Sequence, residues 1–118
     1  PRGYEPNSQL LKDNSHCVRL VDNPAHAARD ADLVVTDVWA TMGSEAEALQ
    51  RKQHFGGFQV TQDLMAGAAA DALFMHCLPA HRGEEVTADV IDSTASVVWQ
   101  EAENRMHSQK ALIEFLLS

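Results

Sequence analysis

Four short apolar runs punctuate an otherwise mixed chain: residues 17–21 (Cys-Val-Arg-Leu-Val), 33–36 (Leu-Val-Val-Thr), 72–76 (Ala-Leu-Phe-Met-His) and 96–99 (Ser-Val-Val-Trp). Each has the length and the β-branched or aromatic content of a strand. The segments between them carry helix signals. Asn23-Pro24 supplies a capping residue and a first-turn proline for a helix through Ala28, and Ser44 with Glu47 has the capping-box spacing for a helix to about Lys52. Thr61 caps a short helix through Ala66, and the stretch 54–58, with Gly56-Gly57, reads as a turn. Toward the C-terminal end, Ala102, Met106, Leu112, Ile113 and Leu116 recur at helical spacing and predict a long amphipathic helix that covers the sheet. Strands alternating with helices predict an α/β fold built on a parallel sheet with flanking helices.

With 118 residues, 45% of them hydrophobic, the chain reads as one domain with one modest core. It shows no internal repeat or low-complexity tract. Nine Lys and Arg against 17 Asp and Glu give a net charge of −8, which disfavours a nucleic-acid partner because phosphate binding needs a clustered basic surface. No apolar stretch approaches the ~18 residues of a membrane span, and Pro1-Arg2-Gly3-Tyr4 lacks a basic-then-apolar leader pattern. No membrane partner is expected, and a cytoplasmic setting is the expectation. Two cysteines, Cys17 and Cys77, do not make a disulfide scaffold and read as reduced thiols.

Open α/β sheets bind ligands at the carboxyl ends of their strands. Two loops dense in chemistry fall there: 37–43 after the second apolar run and 77–85 after the third. If those strands are neighbours, Asp37 and Cys77 face one ligand. Cys77 admits three readings: a nucleophile, a zinc ligand with His76 and His81, or a small buried hydrophobe at a strand end. His76 is poorly placed as its base, since adjacent strand residues point to opposite faces. Asp37 either caps the next turn or accepts hydrogen bonds from a substrate ammonium group. Trp39 and Met42, next to Gly43, suit a lid or ordinary packing. Arg105 either pairs with Glu101 along its helix or holds an anionic or carbonyl oxygen at the ligand crevice. His16, His26, His54 and His107 show no ligand spacing and read as surface residues.

Together these stretches resemble the ornithine carbamoyltransferases. "HCLPAHRGEEVT" (76–87) is similar to that family's signature loop, "TDVWATMG" (36–43) to its ornithine loop, "EAENRMHSQKALI" (101–113) to its closing helix, and "GYEP" (3–6) also fits. The likeness runs in order along essentially the whole chain. It implies a Rossmann-like sheet, and it implies roles: Asp37 and Cys77 on the amino groups of ornithine, Thr41 and Met42 in the loop closing on ornithine, and the backbone of Cys77 and Leu78 with the guanidinium of Arg105 on carbamoyl phosphate. The family usually has serine where this chain has Thr41. The implied catalytic residues are Cys77, Asp37 and Arg105, with Cys77 as an orienting group. The implied reaction is attack of the neutral δ-amino group of ornithine on carbamoyl phosphate, giving citrulline and phosphate in arginine metabolism, with no metal or organic cofactor expected. A homotrimer, or a multiple of one, is the implied assembly.

The resemblance also marks what is missing. Neither the family's Ser-Thr-Arg-Thr-Arg phosphate loop nor its asparagine for ornithine occurs. Residues 1–118 are therefore expected to be the later part of an ornithine-binding domain. Its sheet should be incomplete, without the central first strands, and the N-terminal carbamoyl-phosphate domain should be absent. The alternatives are a carbamoyltransferase for a modified ornithine and a non-catalytic amino-acid-binding module.

Overall fold

The computed structural model describes residues 1–40 and 45–118. The first helix, α1 (Ser8–Asp13), starts where Asn7 accepts a hydrogen bond from the Gln9 N–H at 2.8 Å. In α2 (Pro24–Ala28), the Asn23 side chain accepts from the N–H groups of Ala25 and His26, as its capping signal predicts. Strand β1 (Leu33–Thr36) follows. Beyond it lie α3 (Glu45–Phe55), a 3-10 turn (Gly56–Phe58) and α4 (Gln62–Ala66), which lead into strand β2 (Leu73–His76). The chain ends with α5 (Ala88–Ile91) and α6 (Val98–Leu117). Among the described residues no helix is long and apolar enough to cross a membrane.

The strands β1 and β2 pair in parallel, Leu33 opposite Leu73 and Thr36 opposite His76. Side chains alternate across a strand, so each strand has one inward and one outward set. Inward, Phe74 is fully buried among Val60, Val86, Val90, Ile91 and Val98, with Val34 packed against the cluster. Outward, Leu33, Val35 and Leu73 are exposed, Val35 by 61%. The sheet thus has one packed face and one apolar face open to solvent.

Thr61 Oγ1 accepts from the Leu64 N–H at 3.2 Å and so caps α4, which carries Leu64 to the core edge. Replacing Thr61 with alanine is expected to lower the unfolding free energy by about 1 kcal/mol, read as a lower urea midpoint at unchanged slope.

Four expectations need correction. Residues 17–21 form no strand: the N–H groups of Cys17 and Val18 turn back to the Asn14 carbonyl, and Val18 and Leu20 are exposed, with no neighbouring strand among the described residues to take up their backbone. Residues 96–99 shrink to one bridge. The Phe74 N–H donates to the Ala95 carbonyl and the Val97 N–H to the Phe74 carbonyl, both at 2.9 Å, before α6 takes over at Val98. Nor is α6 a cover over its length. At 20 residues it runs for about 30 Å, whereas a four-residue strand spans about 13 Å. Only the start of the helix meets the sheet, with Val98 buried, while Met106, Leu112, Ile113 and Leu116 face solvent. The helix expected to reach about Lys52 runs on to Phe55, and a 3-10 turn follows it.

Candidate active site

The register of the sheet fixes the site. With Thr36 opposite His76, the residues that follow, Asp37 and Cys77, leave the same end of the sheet side by side. The Cys77 thiol donates to Asp37 Oδ1 at 3.2 Å, and the Val38 N–H donates to the same oxygen at 2.7 Å. Arg105 enters from α6 and crosses 28 positions of sequence to donate from Nη2 to the Cys77 carbonyl at 3.0 Å. Its pairing with Glu101 does not form among the described residues. The three residues expected to do the chemistry therefore meet around Cys77.

Their electrostatics assign protonation states. The hydrogen bond from Cys77, and then the Val38 N–H, hold the Asp37 carboxyl below the ordinary aspartate range. The Cys77 thiol is pushed up, first by its bond to Asp37, then by burial, then by the charges of Asp37 and Glu101. A carboxylate beside a neutral thiol is the resting pair. Nucleophilic cysteines are thiolates with depressed pKa, and Cys77 is shifted the other way. The contact stabilises the fold above the usual carboxylate range and below the usual thiol range. That contribution is lost as pH falls through the lowered pKa of Asp37 or rises through the raised pKa of Cys77.

Beneath Cys77 lies a buried polar pair that the sequence reading missed. His76 and Glu85 are both fully buried, with Nε2 at 3.1 Å from Glu85 Oε1. The His81 N–H donates to the same oxygen at 2.6 Å. Leu78 sits in the left-handed region, with φ of 55°, and its N–H donates to His76 Nδ1 at 2.9 Å. Both ring nitrogens of His76 are thus engaged, and neither is turned to a metal shared with Cys77 and His81. His81 turns to Glu85, its Nδ1 at 3.8 Å from Oε2. The one signal available was strand alternation, which puts His76 on the buried face with Phe74.

Donor atoms of His81, Glu84 and Glu85 lie within 4.8 Å of one another. Lys52 already pairs with Glu84 at 2.6 Å, however, and Glu85 Oε1 is held by His76 and His81. Trp39 packs, as one of its two readings had it: its ring lies 6.1 Å from that of Phe55, and its carbonyl accepts from Arg51. Tyr4, from "GYEP", stacks edge-on against Phe55 and shares a 3.1 Å hydrogen bond with His54. An open cleft of about 440 Å³ runs along β1 between Pro24, Val35 and Phe55, with Asp37 at its lining. Thr41 and Met42, expected to close on ornithine, and Ser44 of the capping box lie outside the described residues.

Residues 1–116 match the family model for aspartate/ornithine carbamoyltransferase, Asp/Orn binding domain. The chain belongs to this carbamoyltransferase family. It is 57% identical over 118 residues to ornithine carbamoyltransferase of Acinetobacter baumannii, covering 100% of this chain and 39% of that protein. The ornithine carbamoyltransferase of Psychrobacter cryohalolentis is 56% identical over 117 residues, 99% of this chain and 38% of its own length. Among solved structures, ornithine carbamoyltransferase from Pyrococcus furiosus superposes with a TM-score of 0.87 at 53% identity, over 96% of this chain and 38% of that one. This family member therefore spans about two-fifths of the length of the relatives it matches. Membership agrees with the resemblance carried by the motifs, and the neighbour's fold agrees with an incomplete Rossmann-like sheet.

Proposed function

We propose that the chain is the ornithine-binding part of an ornithine carbamoyltransferase, which transfers the carbamoyl group of carbamoyl phosphate to the δ-amino group of ornithine. The observation that carries this reading is the contact of Cys77 with Asp37 at 3.2 Å, with Arg105 on the carbonyl of the same cysteine. A carboxylate and a neutral thiol present acceptors to the substrate's amino groups, and a guanidinium one strand-end away suits the phosphate or the carbamoyl oxygen. An ammonium has no lone pair, so the δ-nitrogen reacts as the amine. Its lone pair forms the bond to the carbamoyl carbon, the carbon–oxygen bond to phosphate breaks, and the proton lost by the nitrogen passes to the departing phosphate. Holding the two substrates together supplies much of the rate gain. Leu78 contributes backbone to the carbamoyl phosphate site, and Thr41 and Met42 close over ornithine. The remaining length of the protein supplies the phosphate-gripping loop and covers the open sheet face. The assembly is a homotrimer or a multiple of one, working in the cytoplasm in arginine metabolism.

The test is citrulline formation by the homogeneous full-length protein that carries this sequence, with Cys77→Ala beside the wild type. Wild-type turnover is expected. The variant should lose roughly tenfold or more, as expected when a hydrogen bond to a charged group is removed, yet stay measurable because no covalent step is lost. Quenching with carbamoyl phosphate alone should leave no carbamoyl mass on the Cys77 peptide. A near-stoichiometric adduct, with the variant inactive, would instead make Cys77 the nucleophile, and a wild type without turnover would sink the reading altogether.

A further inference from the structure

We propose that His76 and Glu85 are positioning residues that hold Cys77 against Asp37 and aim its carbonyl at Arg105. His76 immediately precedes Cys77, and its Nδ1 takes the N–H of Leu78, the residue immediately after. The bond spans Cys77 like a clamp. It is made where Leu78 adopts φ of 55°, a conformation disfavoured for an L-residue that persists only where the surroundings enforce it. For Nδ1 to accept, the ring hydrogen must sit on Nε2, where Glu85 Oε1 lies 3.1 Å away to receive it. Glu85 is itself fixed, since its Oε1 takes the His81 N–H and its own carbonyl takes the Val60 N–H at 2.9 Å.

The chain of dependence runs outward from the core: Glu85 sets the tautomer and rotation of the imidazole, the imidazole sets Leu78, and the turn at Leu78 sets both ends of Cys77. On one end the thiol reaches Asp37 at 3.2 Å; on the other the carbonyl reaches Arg105 at 3.0 Å. Two fully buried polar side chains are costly to keep in a core otherwise made of valines, isoleucine and phenylalanine. A clamp on the catalytic turn gives them a role that packing does not need.

The experiment compares His76→Gln with His76→Asn in the full-length protein that carries this sequence. Glutamine fills nearly the volume of histidine and keeps a donor for Glu85, but it offers no acceptor at the Nδ1 position. Asparagine is smaller, leaving a void, yet its Oδ1 falls where Nδ1 was. Positioning ranks glutamine as the worse variant; mere packing ranks asparagine as the worse. The first readout is the pH profile of Cys77 alkylation, followed by mass on its own peptide so that Cys17 does not contribute. Losing the contact with Asp37 should move the Cys77 profile toward lower pH in His76→Gln and leave it near wild type in His76→Asn. The second readout is turnover, expected to fall roughly 10- to 100-fold in His76→Gln, the scale of a small misplacement at a reacting centre, and by less in His76→Asn. If His76→Gln does not fold, Glu85→Asp, whose shorter arm withdraws the acceptor from Nε2–H, should move the profile the same way. The loss of turnover presupposes the function proposed above, whereas the alkylation profile reads the Cys77–Asp37 contact whatever the reaction is. An unmoved Cys77 profile in both glutamine and aspartate variants, or a larger displacement in His76→Asn than in His76→Gln, would overturn the positioning role.

Discussion

Replacing Arg105 with alanine in the full-length protein is expected to lower kcat/KM for carbamoyl phosphate by roughly 10²- to 10³-fold, the range seen when one preorganised donor to a developing oxyanion is removed. Arg105 projects from the part of α6 nearest the sheet, and its Nη2 already rests on a carbonyl oxygen, that of Cys77. That contact holds one edge of the guanidinium at the strand end and leaves its other donors for a ligand. Lysine should restore little, because a point charge on a flexible stem cannot both hold the Cys77 carbonyl and fork onto an anion. The effect should fall on carbamoyl phosphate far more than on ornithine, and the urea midpoint should change little, since the side chain is exposed. Equal losses for both substrates, or full rescue by lysine, would mean that Arg105 props the loop and does not touch the ligand.

The meeting of Arg105 with Cys77 was legible only in part. Periodicity found the helix and its approximate start, but helical spacing offered Glu101 as an equally good partner. The choice is made by the third dimension: α6 starts against β2, so the face carrying Arg105 passes over the end of that strand. By contrast, the meeting of Asp37 and Cys77 hung on one condition, that the second and third apolar runs are neighbouring parallel strands. The structure pairs them, and the residue after each then emerges at the same edge. The strand expected at residues 17–21 does not form. Residues 17–21 carry much the same apolar content as 33–36, yet β-propensity expresses packing against neighbours, and among the described residues no strand lies beside them.

The His76–Glu85 pair was out of reach for a different reason. Motif reasoning weighs His76 as a metal ligand or as a base because those are the reactive roles of histidine. A buried histidine serving as a hydrogen-bond relay leaves no local pattern, since its partners, Leu78 and Glu85, are joined to it by a turn whose shape depends on the positive φ at Leu78. The open face of the sheet was anticipated on other grounds. The resemblance implied missing strands, and the exposure of Leu33, Val35 and Leu73 fits that expectation.

Replacing Asp37 with asparagine is expected to reduce kcat/KM for ornithine by roughly 10- to 150-fold, the equivalent of about 1.5–3 kcal/mol for a hydrogen bond to a charged group. The isosteric amide keeps the space and an acceptor for the Val38 N–H but loses the charge that an ammonium or a polarised amine recognises. Carbamoyl phosphate binding should be nearly unchanged. Two further readings check that the charge, and not the shape, is responsible. The bond to Asp37 is the largest cause raising the Cys77 thiol, so in the variant alkylation of Cys77 should begin at lower pH. The stability difference between wild type and variant should depend on pH with a definite sign. It favours the wild type where Asp37 is ionised and Cys77 is protonated, vanishes as acid protonates Asp37 below the usual carboxylate range, and reverses once Cys77 ionises beside a carboxylate that the variant lacks. An alkylation profile that stays in place, with ornithine kinetics unchanged, would remove Asp37 from the site and leave its carboxylate as a cap for the Val38 turn.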